Sequence, residues 1–314
     1  MFGYILRRLA LTLPTLLLVG VTVFVLMRLI PGDPAQLMLG DAADAAQVAD
    51  LRQRMGLDQS LPVQFTHWLA SVLQGDLGRS ITDGEPVLPL ILERMQVTAS
   101  IVVAAVLIAA CIAVPAGLLA AWQQNRPIDV AIVTGSTLLL SVPSFWLGLL
   151  MLLAFGLKLG WLPVVGYVAL SEDFSEGLLY IVLPIVTLAL IEIGVLTRMA
   201  RASAIEVLRL EFVAHARAKG ASEWRVLLRH VLPNAFGPVL TLTGLVLGQL
   251  LGGAAVLETV FTLPGLGRLL VDAILARDYP VVQGILLFTA AIYVLTNLLV
   301  DLCYPLFDPR VQVQ

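Results

Sequence analysis

Glu192 is the one carboxylate set well inside an apolar run, PIVTLALIEIGVLTRMA at 184–200. An ionisable group in such a setting faces a cavity or a partner, so it could couple proton movement or meet cargo on a pathway. Its structural alternative is a pair with Arg198 near the cytoplasmic end of the same run. Other reactive side chains are scattered. His67, His215 and His230 are well separated, so no metal site is expected. Cys111 and Cys303 sit in apolar runs without metal or redox spacing, which predicts buried single thiols. No Ser-His-Asp set, HExxH motif or GxGxxG context appears, so the chain is not expected to be an enzyme on its own. It also lacks a GxxxxGK(S/T) phosphate loop. No cofactor is therefore expected on this chain, and if ATP drives it, ATP and Mg²⁺ belong to another polypeptide.

The densest polar stretch is RASAIEVLRLEFVAHARAKGASEWRVLLRHVLP, residues 201–233, which interrupts a series of greasy segments. Six of the nineteen basic residues fall there: Arg201, Arg209, Arg217, Lys219, Arg225 and Arg229. Ile205, Leu208, Phe212 and Ala216 recur at helical spacing and predict a short amphipathic helix. Gly220 is a natural helix stop, and Trp224, Leu227, Leu228 and Val231 begin a second helix running up to Pro233. The expectation is helix, turn, helix on the cytoplasmic side. A partner could dock there, or the basic face could only set topology.

The elements that hold these groups are membrane helices. The chain has 314 residues, 59% hydrophobic and 13% charged, with a mean hydropathy of +0.94. That much apolar surface cannot be hidden in one water-soluble core, and several runs reach the roughly 20 residues needed to cross a bilayer. The continuous runs exclude an alternating barrel pattern. The net charge of −3 gives no sign of nucleic-acid binding. We expect an all-α integral membrane protein with six crossings and both termini cytoplasmic.

The first crossing occupies 1–30, with Arg7 and Arg8 inside and PGDP at 31–34 as the exit turn. Residues 31–96 form an outer segment, where PVQFTHWLASVLQ places Phe65, Trp68, Leu69, Val72 and Leu73 on one side of an interfacial helix. Residues 97–314 form the core, with crossings near 97–122, 131–157, 178–198, 235–257 and 282–304. Pro115, Pro143 and Pro184 kink three of them. Ser141 and Ser144 flank Pro143 and could satisfy freed carbonyls or line a pathway. Gly244, Gly248 and Gly252 recur every four residues, with Gln249 alongside, which predicts close helix packing; a channel lining or a subunit interface is the sharper extension. The segment from Glu258 to Pro280 is too polar to span; Leu266, Leu269, Leu270, Ala273 and Ile274 share a helical face. With Pro264, Gly265 and Gly267 near its start, this segment is a candidate outer gate. The cytoplasmic loop covers 199–233.

A family pattern is carried by AHARAKG followed, nine residues later, by HVLP. This resembles the cytoplasmic signature of binding-protein-dependent ABC importer permeases, a Glu-Ala-Ala start, a Gly, and an Ile-x-Leu-Pro end. Ala214, His215 and Ala216 occupy the start, Gly220 the glycine, and Leu232 with Pro233 the end. Ala214 stands where the family has Glu, and His230 where it has Ile. The ARAKG form is similar to the dipeptide, oligopeptide and nickel branch. YILRRL, RLIPGDP, GLDQSLPVQF, GDLGRS, SVPSFWLG, LGWLPVVGY, ETVFTLPGLGRLLVDAI, RDYPVVQG and DPR extend the likeness over nearly the whole chain.

The resemblance implies a type I importer fold, a second homologous permease, two cytoplasmic ATPase subunits or domains, and an extracytoplasmic solute-binding protein. The long outer segment resembles the first permease of such a pair. The segment before Gly220, including Phe212, would be the coupling helix, with Arg217 and Lys219 supplying polar contacts that the missing acid would otherwise make. Short peptides are the implied cargo, and nickel chelates or glutathione are alternatives. The rival from another class is an ion-gradient transporter using Glu192; an intramembrane enzyme is disfavoured by the missing polar catalytic set.

Overall fold

A computed structural model describes residues 2–29, 34–39, 44–54 and 56–307. Residues 31–33 of the expected exit turn and 308–310 of the terminal DPR lie outside the described residues. Helix α1 (Phe2–Leu29) is followed by short α2 (Pro34–Leu39), α3 (Ala45–Arg54) and α4 (Leu61–Leu73). Then α5 (Val87–Trp122) begins ten residues before the crossing expected at 97. Apolar residues run on past its first turns, and Val87 and Ile91 are fully buried against Val281 and Ile285.

The third crossing is not the single kinked helix expected over 131–157. Helix α6 (Pro127–Ser141) and helix α7 (Ser144–Met151), which continues as a widened π-type segment Leu152–Lys158, meet at 95°. The physical cause is Pro143, which excludes the helical region for the residue before it; Val142 is extended at φ −90°, ψ 124°. The next helix, α8 (Phe174–Leu208), is far longer than the 178–198 expected. After α9 (Glu211–Ala218) and the short α10 (Glu223–Val226), a π-type turn at Leu227–Val231 leads into α11 (Leu232–Gly253). Pro233 donates no N–H, so the hydrogen-bond ladder widens just before it. Helices α12 (Ala255–Val260), α13 (Leu266–Leu275) and α14 (Tyr279–Phe307) complete the described chain.

Five runs among the described residues are long and apolar enough to cross a membrane, and the bent α6–α7 pair supplies a sixth. Arg8 pairs with Asp301 at 2.9 Å, which fixes α1 antiparallel to α14. The main core lies between α5 and α8, where Ile101, Val102 and Ala105 meet Ile181, Ile185 and Leu188. Gly117 lets these helices touch. A Cβ there would sit 2.6 Å from the Ala200 side chain and 2.8 Å from two backbone atoms of α8. A second core of Leu118, Ala204, Val207, Val213, Val226 and Val231 gathers at the cytoplasmic end. The thiols depart from expectation, since Cys111 is exposed on the bundle surface and Cys303 is half-buried. Apolar sequence context in a membrane helix marks lipid-facing and core positions alike.

Candidate functional site

The amphipathic helix expected before Gly220, with Ile205, Leu208, Phe212 and Ala216 on one face, is two helices. Residues 201–208 are the cytoplasmic end of α8, and the chain breaks at Arg209 and Leu210, the latter extended at ψ 146°. Phe212 therefore does not continue the stripe of Ile205 and Leu208. It is 37% exposed, while its neighbour Val213 is fully buried in the cytoplasmic core. Val213 anchors α9, and the opposite side presents Phe212, Ala214, His215, Arg217 and Lys219 to the exterior, with Ala216 half-buried.

Gly220 ends α9 as expected, and the hydrogen bonds show how. Its φ is +82°, its N–H donates to the Arg217 carbonyl at 2.9 Å, and the Ala221 N–H reaches the Ala216 carbonyl at 3.2 Å. These two bonds form a Schellman closure, which needs a left-handed residue and so favours glycine. Across the turn, Arg217 donates to both carboxylate oxygens of Glu223 at 2.9 and 3.1 Å. Leu210, Trp224 and Leu228 are 49%, 61% and 56% exposed near Phe212 in sequence. Trp224 touches Trp122 of α5 with ring centroids 5.9 Å apart. Leu232 and Pro233 lie at the start of α11, beyond the π-type turn.

An ion pair not anticipated from the sequence braces this end, its carboxylate buried and its guanidinium half-buried. Asp129, in the first turn of α6, receives Arg201 Nε and Nη2 at 2.6 and 2.8 Å and the Asn125 N–H at 2.8 Å. Asp129 is buried, and Asn125 adopts φ +63° to aim its N–H inward. The available signal was helix-start chemistry in NRPID, with proline at the first helical position and an acid just after.

The outer candidates converge on one polar knot. Glu258 is buried and accepts the Thr98 hydroxyl at 2.5 Å and the Arg268 N–H at 2.9 Å. Thr98 in turn accepts the Leu266 N–H at 2.9 Å. A side chain at Gly265 would collide with the Glu258 carboxylate, and one at Gly267 with the backbone of Ala255. Burial pushes the Glu258 carboxyl above its usual range, while Thr98 and the N–H groups of Arg268 and Gly267 pull it back. Pro264 is half-buried beside the knot. The knot ties the start of α13 to α5; Leu266 and Ala273 face the protein interior, whereas Ile274 is 55% exposed and falls off the shared face. A second tie links Ser80 to Asp278 at 2.5 Å, joining the outer loop to the cap of α14.

Of the pathway candidates, Gly248, Gln249 and Gly252 line one open cavity of about 630 Å³ with Thr22, Thr289 and Tyr293. Gly244 and Gly248 pack against Val300 and Tyr293 of α14, and Gly252 approaches Thr289, so the glycine ridge seats a helix of the same chain. Gln249 remains exposed next to it. Ser141 donates to the Thr137 carbonyl at 2.8 Å, closing α6, while Ser144 opens α7 beyond the bend at Pro143. Glu192 is buried and its Oε2 has no hydrogen-bond partner; Arg198 is exposed and forms no ion pair with it among the described residues.

Comparison with known proteins decides the family. Residues 1–102 match the N-terminal part of binding-protein-dependent transport system membrane components, and residues 113–313 match the inner membrane component itself. The chain belongs to the binding-protein-dependent transport system inner membrane component family. The probable peptide ABC transporter permease protein y4tP of Sinorhizobium fredii is 42% identical, covering 98% of this chain and 99% of its own. A putative peptide transport system permease protein of Brucella abortus is 43% identical, and the glutathione transport system permease protein GsiC of Salmonella choleraesuis 42%, each covering 99% of both chains. A chain from the inward-facing conformations of the MetNI methionine ABC transporter superposes with a TM-score of 0.54, covering 71% of this permease and 98% of its own length at 18% identity. That likeness shows a shared importer fold. This permease is thus a multi-pass inner-membrane transport component of a prokaryote.

Proposed function

We propose that this permease forms the membrane pathway of an ATP-driven importer of short peptides delivered by an extracytoplasmic solute-binding protein. The observation that carries the reading is α9: a helix held by one buried valine, stopped by Gly220, and presenting Phe212, His215, Arg217 and Lys219 outward. With Leu210, Trp224 and Leu228 exposed beside it in sequence, it has the mixed apolar and charged character of a docking surface. One of two ATPase subunits or domains that carry ATP and Mg²⁺ would seat there, and closure of the ATPase pair would move α9, then the π-type turn and Leu232-Pro233, then α11. A second homologous permease completes the pathway. Ser141, Pro143, Ser144, Glu192 and Gln249 on this side are the candidates for contact with cargo, and the knot of Glu258, Pro264, Gly265 and Gly267 for the outer gate.

Peptide cargo is supported by the names of the relatives from Sinorhizobium and Brucella. The glutathione permease at similar identity supports a second reading, since glutathione is itself a short peptide. The test is uptake into proteoliposomes holding the full assembly. With residues 214–220 scrambled, peptide uptake should fall by about tenfold or more, a coupling loss above 1.4 kcal/mol, while insertion persists. Normal uptake and ATP hydrolysis in that variant would overturn the reading, and competition between labelled dipeptide and glutathione separates the two cargoes.

A further inference from the structure

Two cavities meet where α1, α4 and α14 converge toward the outer side of the bundle. One, about 490 Å³, is walled by apolar side chains that include Leu13, Leu17, Leu73, Leu88 and Phe288. The other, about 320 Å³, is lined by Arg28, Gln64, His67, Asp76, Tyr279 and Gln283. Trp68 and Leu77 border both, so the two are neighbours. Their order along the helices is the same on both walls. On α1 the lining passes from Leu13 and Leu17 to Arg28 at the outer end, and on α14 from Ala291 and Phe288 to Tyr279. The apolar part is the deeper one, and the polar part opens at the outer face.

We propose that this double cavity holds one phospholipid of the outer leaflet, of the phosphatidylethanolamine class. An acyl chain fills the cleft between α1, α4 and α14, and the head group sits in the polar part. The cleft lies in the size range of specific small-molecule sites, roughly 300–1,000 Å³. Arg28 supplies the phosphate contact. Its Nε donates to Gln64 Oε1 at 3.0 Å and its guanidinium lies 4.9 Å from the Phe24 ring, which leaves the terminal nitrogens free for a bidentate anion. No carboxylate among the described residues pairs with Arg28. Asp76 supplies the ammonium contact: Oδ1 accepts the Gly78 N–H at 2.8 Å, and the other oxygen is available. A cation and an anion at the outer end of an apolar cleft match the order of a zwitterionic head group and its acyl chain in a single phospholipid.

A lipid in this cleft accounts for the way α4 is held. Phe65 and Trp68 stack with Phe24 at 5.3 and 5.6 Å, so one end of α4 is fixed to α1, while Leu69, Val72 and Leu73 stand back across the cleft. Only a filler of matching chemistry removes that void.

The test is native mass spectrometry of the whole assembly released from nanodiscs containing phosphatidylethanolamine and phosphatidylglycerol. One phosphatidylethanolamine should stay bound per permease, and Arg28→Gln should lower its occupancy about tenfold. Leu17→Trp, which fills the cleft without touching the head-group contacts, should lower it similarly, while Leu153→Trp on an exposed face should not. A photoreactive residue at position 17 should label lipid acyl chain. Equal occupancy in all variants, retention of phosphatidylglycerol instead, or labelling of a second polypeptide from position 17 would overturn the proposal. The labelling experiment decides even where Arg28→Gln fails to assemble.

Discussion

Gly220 shows how one residue can be required without touching anything. A Cβ there would meet open space, so the cost of a side chain is conformational alone. For Gly220→Ala that is roughly 1–2 kcal/mol, the penalty of a left-handed L-residue. The Schellman closure of α9 should loosen, and limited proteolysis should cut near 219–221 faster than in the parent while the bundle stays folded. Arg217 allows a complementary experiment. Its pair with Glu223 is about two-fifths exposed on both partners, so as an intramolecular contact it contributes only about 0–1 kcal/mol. Glu223→Ala should therefore leave uptake nearly unchanged. If α9 docks an ATPase, Arg217→Ala should cut uptake far more than Glu223→Ala; equal effects would mean that Arg217 only braces its own turn.

At the scale of elements, two polar ties at opposite faces hold the long helices in register. Asp129 and Arg201 lock the cytoplasmic ends of α6 and α8, and removing one partner strands a buried charge at a cost of about 3–5 kcal/mol. Arg201→Ala should lower the unfolding midpoint of the purified permease more than Arg209→Ala, because Arg209 is exposed at the break. At the outer face, Glu258→Ala leaves the N–H of Arg268 without its acceptor, costing about 1–3 kcal/mol, and hydrogen exchange should rise across 264–270. Much of this architecture was readable beforehand: apolar length gave the crossings, Gly220 the end of α9, and Glu258 with Gly265 an outer element of unusual polarity. The ties themselves were not readable. Asp129 and Arg201 lie 72 residues apart, as Thr98 and Glu258 lie 160 apart, and no local period encodes a partner at that distance. The break at 209–210 was hidden for a different reason, since Ile205, Leu208, Phe212 and Ala216 keep helical spacing across it, and only tertiary packing of Val213 selects two helices.

For the whole molecule the question is what supplies the work of transport. Every crossing leaves apolar surface exposed, including Leu107 on α5, Trp146 on α7 and Leu299 on α14, as expected of a chain surrounded by lipid and by other subunits. Glu192 is the carboxylate suited to serving an ion gradient, being buried on α8 with one carboxyl oxygen unbonded. Glu192→Gln separates the two energy sources, because glutamine keeps the shape and a hydrogen-bonding head but cannot carry a proton. A gradient-driven transporter would lose uptake at every pH. An ATP-driven assembly should keep uptake within about twofold, a barrier change of about 0.4 kcal/mol, stay insensitive to a protonophore, and still stop when ATP is withheld. The expected result is the second, because α9 presents Phe212, His215, Arg217 and Lys219 outward, where an ATPase could engage them.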